Sequence, residues 1–396
     1  MVKNAGFQSP TVKISSRGAH RLRDGHVWVY RSDVISAESV APGAVVRVTD
    51  ERGRFLANAL YSSASQIAIR IISREAVEDF GQLLRARLRE AAAYRERVVS
   101  DSNAYRVVFS EGDFLPGLIV DRYNDLLSLQ VLTQAMDAEH VRSAVLSEVS
   151  ALLQPAGIVE RVDARVRELE KLLPRSSGLL QGEKSSTVFT MNGIQFQFDA
   201  LAGQKTGAFL DQRENYAAAA RYAHGEALDV FCYQGGFALH LAPKSSQITG
   251  VDSSRPALEA ADRNSALNHR EVEWIEANAF DLLRDYADAG KKYDSIVLDP
   301  PAFARTKSAL ATALRGYKEL NLRALKMLRP DGVLVSCSCS YHVGAAEFLE
   351  VVSEAARDAH RSLRILESRT QAKDHPILVN VPETAYLKCI ISYVSN

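Results

Sequence analysis

Residues 227–237 read Ala227-Leu228-Asp229-Val230-Phe231-Cys232-Tyr233-Gln234-Gly235-Gly236-Phe237. The apolar run up to Phe231 predicts a buried strand, Gly235-Gly236 a turn, and the residues after it a helix. Glycines in such a turn let the backbone approach a ligand closely, and the helix amino terminus offers N–H groups with no partner inside the helix. Twenty-three residues after Asp229, the next expected strand ends in Asp252. A carboxylate there can accept hydrogen bonds from two ribose hydroxyls. The stretch therefore points to a nucleoside.

The G-x-G-x-x-G spacing of dinucleotide-binding turns is missing. S-adenosylmethionine has no pyrophosphate to cradle, so a looser turn suffices for it. The expected arrangement puts Phe231, Tyr233 and Gly235 around this methyl donor, with Asp229 facing its amino-acid end and Asp252 on its ribose. Competing readings are a turn that serves packing alone and another nucleotide.

Outward from this turn, residues 189–396 alternate strands and helices. Strands are expected at Ala227–Phe231, Gln247–Val251, Val272–Glu276, Ser295–Leu298, Val333–Ser336, Leu363–Leu366 and Tyr386–Tyr393, with helices such as Pro256–Leu267 and Leu310–Leu328 between them. Such alternation implies an α/β fold with a doubly wound, mostly parallel sheet, whose ligands bind beyond the carboxyl ends of the strands.

The strand at 293–298 delivers Asp299-Pro300-Pro301-Ala302-Phe303. Two prolines stiffen the backbone and remove two N–H donors, so the Asp299 carboxylate and the Phe303 ring project from a rigid loop beside Pro300. An acid beside an aromatic face suits a flat base taken out of its stack. The alternative is a proline stop after a buried strand with a capping Asp.

The following strand ends Ser336-Cys337-Ser338-Cys339-Ser340. Carbon 5 of cytosine is a poor nucleophile, but a thiolate added at carbon 6 makes it enamine-like and able to attack a methyl sulfonium. Asp299 could hold N3 or the exocyclic amine as charge develops. A free thiol is only a few per cent ionised at pH 7, so the site is expected to favour the thiolate. Cys337 shares the strand face of Cys339, and position nearer the strand end favours Cys339. Isolated strand cysteines are commonly small core residues.

Composition limits the rest. With 46% apolar and 24% charged residues the chain is a globular protein, and its 396 residues should hold two or three domains. No apolar stretch is long enough to span a membrane, and the start carries Lys3, Lys13, Arg17, Arg21 and Arg23 rather than a secretory core. A cytoplasmic protein is expected. The four cysteines lack zinc-like spacing, so no metal site is expected.

Over residues 1–75, 11 Lys and Arg stand against 6 Asp and Glu. Short apolar runs alternate there with turns, at Val27–Tyr30, Val45–Val48 and Ile67–Ile72, predicting a small β-barrel-like domain. Helical spacing follows over 76–98. Strands at Tyr105–Phe109, Leu118–Asp121, Leu126–Leu132 and about 157–162, with a helix at about 138–153, read as an α+β lobe. The polar, glycine-containing stretch Gly178–Ser186 is a candidate boundary.

Taken together these segments resemble the bacterial family of the large-subunit ribosomal RNA methyltransferase I, over nearly the whole chain. Gly18, Arg21-Leu22, Gly25-His26 and Trp28-Val29-Tyr30 look like its PUA domain, a small RNA-binding barrel. Asn103–Arg106 and Glu111 through Tyr123 are similar to its central domain, and Gly203–Asn215 resembles the stretch preceding its catalytic sheet. The resemblance implies 5-methylcytosine formation in 23S RNA by a class I methyltransferase domain. It also implies donor contacts from Gln212, Arg213, Asn278 and Ala279, and Cys339 as nucleophile from the alignment of Ser338-Cys339-Ser340. Tyr386-Leu387-Lys388 matches the family's tail.

The expected domains are residues 1–75 (PUA), 76–188 (central) and 189–396 (methyltransferase). Arg21, Arg23 and Trp28 are expected to contact ribosomal RNA, either naked 23S or an assembly intermediate. A homodimer is left open. Two other outcomes are left open: methylation of a guanine or exocyclic amine without a cysteine, and RNA binding without catalysis. A dehydrogenase would instead bind nicotinamide.

Overall fold

The computed structural model describes residues 9–201, 208–304 and 306–395. Residues Gly203–Gly207 of the stretch preceding the catalytic sheet lie outside the described residues. The chain divides into two compact units, the first comprising Met1–Thr187, Phe198–Gly207 and Lys373–Thr384, the second Val188–Gln197, Ala208–Ala372 and Ala385–Asn396.

The first unit begins with β1 (Thr11–Ile14), α1 (Ser16–Arg23), β2 (Trp28–Tyr30), β3 (Val34–Ser36), β4 (Val45–Thr49), β5 (Phe55–Tyr61) and β6 (Ile67–Ser73). The six strands pair in the order β2-β6-β5-β4-β1-β3 around a core of Val12, Ile14, Val29, Val46, Val48, Ile69 and Ile71. Strand alternation correctly places β2, β4 and β6. It misses α1, in which only Gly18, Ala19 and Leu22 are buried. That helix is secured at its start, where the Ser15 side chain accepts the Gly18 N–H.

α2 (Phe80–Val98) follows, and then β7 (Ala104–Phe109), β8 (Leu118–Tyr123), β9 (Leu126–Val131), α3 (Glu139–Leu153), β10 (Gly157–Glu160), α4 (Ala164–Leu169) and β11 (Gly178–Gly182). These strands form a second sheet, β11-β10-β9-β8-β7, covered by α2 and α3 through Leu84, Leu88, Val141 and Val145. Full burial of each such side chain stabilises by about 1.5–3 kcal/mol. The stretch at 178–186 is thus not simply a linker. Residues 178–182 form an edge strand whose largely exposed side chains give no apolar signal in the sequence.

A hairpin of β12 (Ser186–Met191) and β13 (Ile194–Asp199) precedes α5 (Arg213–Tyr222). The second unit continues with β14 (Glu226–Val230), α6 (Gly236–Leu241), β15 (Gln247–Asp252), α7 (Arg255–Leu267), β16 (Glu273–Glu276), α8 (Ala279–Asp288) and β17 (Tyr293–Leu298). It closes with α9 (Leu310–Met327), β18 (Leu328–Ser338), α10 (Ala345–Asp358), β19 (Ser362–Arg369) and β20 (Lys388–Ser395).

The seven strands are ordered β16-β15-β14-β17-β18-β20-β19. β16 through β18 run parallel, and β20 is antiparallel to both its neighbours. The central strands read as apolar runs because both faces are covered, with Leu228, Val230, Ile296, Leu298 and Leu334 on the side packed by Leu320, Ala324 and Leu325 of α9. The chain order reverses between β14 and β17, so their carboxyl ends lie side by side, with Val230 opposite Leu298. That switch point places Phe231 next to Asp299.

Candidate active site

At the end of β14 the backbone enters the left-handed region at Phe231 (φ 68°), Tyr233 (φ 49°) and Gly235 (φ 83°). For bulky residues this is strained backbone, and strain of this kind gathers at ligand sites. The turn is tied to the neighbouring strand, since Tyr233 N–H donates to Asp252 Oδ2 at 2.9 Å and Ser254 N–H to Oδ1 at 2.9 Å. Gly236 is required sterically. A Cβ there would lie 2.6 Å from the Tyr216 ring. That ring is buried and packed on Phe237 and His240, so it cannot retreat.

The turn opens onto a cleft lined by Met191 and Phe196 of the hairpin, by Ala208 and Phe209, by Tyr216, and by Phe231 through Gln234, with Asp299 at its floor. The Phe209 and Tyr233 rings meet across it at 5.0 Å. Asp229 is fully buried beneath the turn. Its Oδ2 accepts the Ala238 N–H of α6 at 2.8 Å, whereas Oδ1 has no partner among the described residues. An unsatisfied carboxylate oxygen in such a place is costly, and a cationic ligand group removes the cost. Burial, with the Asp252 charge adding to it, raises this carboxyl to about 7.

These features fit S-adenosylmethionine: a glycine turn held close against Tyr216 in the wall of the cleft, an orphaned carboxylate oxygen and an acid at the neighbouring strand end. Asn278 and Ala279 lie at the start of α8, one strand further along. The Asn278 side chain caps that helix by accepting from the Phe280 and Asp281 N–H groups. Gln212 and Arg213 are buried and do not line the cleft. Gln212 reaches it through Asp299, donating to Oδ1 at 3.0 Å, and is itself held by Asn215. Burial and the Asp211 and Asp229 charges push Asp299 up to about 8, against the Gln212 hydrogen bond.

The structure brings Asp299, Pro300 and Cys339 together. β18 ends at Ser338, and Cys339 follows with its Sγ 3.9 Å from the Pro300 carbonyl oxygen. Cys337 does not share this position. It lies fully buried inside β18, paired across the sheet with Cys389. The expectation that the site favours a thiolate is not met by the chain alone. Burial and the Asp299 and Asp211 charges push the Cys339 thiol up to about 12, and Lys388 only partly opposes them.

Sequence reasoning missed Tyr317 of α9. Its hydroxyl is buried between Ser338 Oγ (2.9 Å) and Ser340 Oγ (2.8 Å), and Ser340 Oγ accepts the Ala304 N–H at 3.2 Å. One tyrosine thereby joins the residues on either side of Cys339, and Ser340 ties them to the proline loop. Phe303 packs on Tyr317 at 4.8 Å between ring centres and is half-buried. Tyr317 occupies an ordinary core position of a helix, so periodicity carries no sign of this role.

Arg21, Arg23 and Trp28 belong to the first unit. Arg21 Nη1 lies 3.2 Å from Asp33 and over the Tyr30 ring, Arg23 Nη2 lies 2.8 Å from Asp50, and the Trp28 indole N–H donates to Glu111 at 3.1 Å. Each is engaged within the first unit, the two arginines by carboxylates of the PUA-like domain and Trp28 by Glu111 of the central lobe, with Arg23 the more exposed of the two arginines. Among the described residues no cluster of metal-ligating side chains occurs, and no helix is long and apolar enough to cross a membrane.

Residues 12–74 match a PUA-like domain and residues 170–392 an S-adenosylmethionine-dependent methyltransferase. Ribosomal RNA large subunit methyltransferase I of Tolumonas auensis is 39% identical, over 97% of this chain and 99% of the relative. The protein of that name from Photobacterium profundum is 38% identical, over 94% and 96%. The fold matches the crystal structure of SMU.776 complexed with SAH, with TM-score 0.83 and 19% identity, covering 97% of this chain and 100% of that one. A structure described as a SAM-dependent methyltransferase from Streptococcus mutans gives TM-score 0.82 at 18% identity with the same coverage.

Proposed function

The chain belongs to the family of ribosomal RNA large subunit methyltransferase I, and from that premise we propose that it methylates carbon 5 of a cytosine in large-subunit ribosomal RNA through a covalent adduct on Cys339. It is an S-adenosylmethionine-dependent methyltransferase with a PUA-like domain at residues 12–74. The observation that carries the finer reading is the half-buried Cys339 thiol at 3.9 Å from the Pro300 carbonyl, at the mouth of the loop that holds Asp299.

Asp229, Asp252 and the turn from Phe231 to Gly236 hold the donor, which supplies an electrophilic methyl group at a sulfonium. The flat base lies against Phe303 and the proline loop. The thiol loses its proton to solvent, and the sulfur electron pair forms the bond to carbon 6 while the C5–C6 π pair shifts to C4–C5 and the C4–N3 π pair moves onto N3. Asp299, protonated at neutral pH because of its raised pKa, donates to N3 as negative charge collects there. Once carbon 5 has taken the methyl group, with the donor leaving as a neutral thioether, carbon 5 gives up its proton to solvent, and that electron pair restores the C5–C6 double bond and expels Cys339 as a thiolate.

In this reading Arg21, Arg23 and Trp28 position the RNA, which requires phosphates to compete with Asp33 and Asp50. The proposed substrate is naked 23S RNA or an assembly intermediate in the cytoplasm. Nothing in the chemistry requires a homodimer. The raised Cys339 pKa favours one rival, methylation of a guanine or an exocyclic amine with Asp299 alone. A labelled-methyl assay on unmodified large-subunit RNA, followed by nucleoside identification, separates the two. 5-Methylcytidine is expected, and any other product overturns the reading.

A further inference from the structure

Lys388 opens β20, in register with Ser338 of β18, so its side chain enters beside the loop carrying Cys339. Only 9% of the residue is exposed. Nζ donates to the Ser340 carbonyl at 2.7 Å and to the Tyr386 carbonyl at 2.9 Å. Among the described residues no carboxylate forms an ion pair with it. The groups acting on its charge are Cys339 and Glu347 of α10. A buried ammonium held only by carbonyls is costly unless an anion forms nearby.

Cys339 is the group beside it that can become that anion. It is faced by Asp299 at the end of β17, by Asp211 ahead of α5, by Tyr317 of α9 and by Lys388 of β20. The Asp211 carboxylate, and Asp299 when it is ionised, oppose a thiolate, and Lys388 is the cation that offsets them. We propose that Lys388 is the positioning residue of the nucleophile: its ammonium, fixed by the Ser340 and Tyr386 carbonyls, stabilises the Cys339 thiolate that adds to the base. This rests on the cysteine-adduct reading above.

In forming the thiolate, the S–H bond breaks, the electron pair stays on Sγ and the proton leaves to solvent while Lys388 keeps all three N–H bonds. The burial that lowers the Lys388 amine to about 8 also raises the thiol, and each charged form favours the other.

The test is the pH dependence of iodoacetamide alkylation at Cys339, followed by peptide mass spectrometry in the full-length protein and in Lys388→Met, Lys388→Gln and Lys388→Arg. The Met and Gln variants should shift the profile up by about one pH unit, making alkylation about tenfold slower at a given pH below it. The Arg variant keeps a permanent cation and should stay within about threefold of the parent. Unshifted Met and Gln profiles overturn the proposal. So does equal slowing in all three variants, which would assign the effect to the hydrogen bonds rather than the charge. Full methyl transfer by Cys339→Ala would remove the adduct reading and this proposal with it. A normal RNA adduct alongside an unshifted Lys388→Met profile would remove this proposal alone.

Discussion

The Sγ of Cys339 lies 3.9 Å from the carbonyl oxygen of Pro300, so the end of one strand delivers a thiol onto the rigid loop at the end of its neighbour. Cys337, two residues earlier, is sealed between β18 and β20 opposite Cys389. Of these two cysteines, Cys337 is fully buried and Cys339 is partly exposed.

Replacing Cys339 by Ala should therefore lower methyl transfer by about a thousandfold or more and abolish a denaturation-resistant complex with RNA containing 5-fluorocytosine. Cys337→Ala should keep most of the activity and cost about 1 kcal/mol of stability through the small cavity it leaves. Gel shift under denaturing conditions and urea unfolding read the two outcomes. The opposite pattern would exchange the roles.

Tyr317→Phe removes the hydroxyl that links Ser338 to Ser340 and leaves buried polar atoms short of a partner. The expected cost is about 1–3 kcal/mol of stability. Because the residues on either side of Cys339 then lose the hydroxyl that joins them, kcat should fall about tenfold while the donor KM stays as it was. Steady-state kinetics separate this from general unfolding, which would lower the amount of active protein without selecting kcat in active-site titrations.

Asp229 gives a pH signature. Its pKa is raised in the fold to about 7, so between the unfolded value near 4 and about 7 the folded state binds the extra proton. Stability from this group is fully present below the unfolded value and is lost as pH rises through 7. Thermal unfolding of the ligand-free protein should show that loss, and Asp229→Asn should remove it. Donor affinity should move the other way, rising with pH up to about 8 as the carboxylate forms to meet a cation. Calorimetric titrations at pH 6, 7 and 8 that give one affinity would sink the assignment.

Gly236→Ala places a Cβ at 2.6 Å from a Tyr216 ring that is packed on both sides. The overlap should cost about 1–3 kcal/mol and weaken S-adenosylhomocysteine binding, measured by calorimetry. Unchanged binding would show that the turn does not cradle the donor.

For the RNA contacts, Arg21→Ala with Arg23→Ala should make the logarithm of the binding constant less steep in log salt by about two. Both arginines are tied to carboxylates, so a smaller change in slope would show that Asp33 and Asp50 retain them in the complex.

Much of this architecture was legible along the chain because the central strands β14, β15, β17 and β18 are covered on both faces and read as apolar runs with helices between them. The same logic failed where burial is partial. α1 buries one narrow stripe, and β11 is an exposed edge strand, so neither leaves a strong period. Asp229, Asp252 and Asp299 could be picked out because each stands at a strand's carboxyl end, a position that local pattern defines.

Local pattern along the chain encodes the alternation that makes a doubly wound sheet, the glycine turn after β14 and the stiff loop after β17. All three depend on contacts between near neighbours in the chain. The long-range packing alone buried Cys337 while leaving Cys339 partly exposed at the proline loop, joined Tyr317 to the serines on either side of Cys339, and set Lys388 against the Ser340 carbonyl. It also set the charges. The thiol is raised rather than lowered because burial and two carboxylates from distant segments converge on it, and no local pattern encodes which strand ends meet.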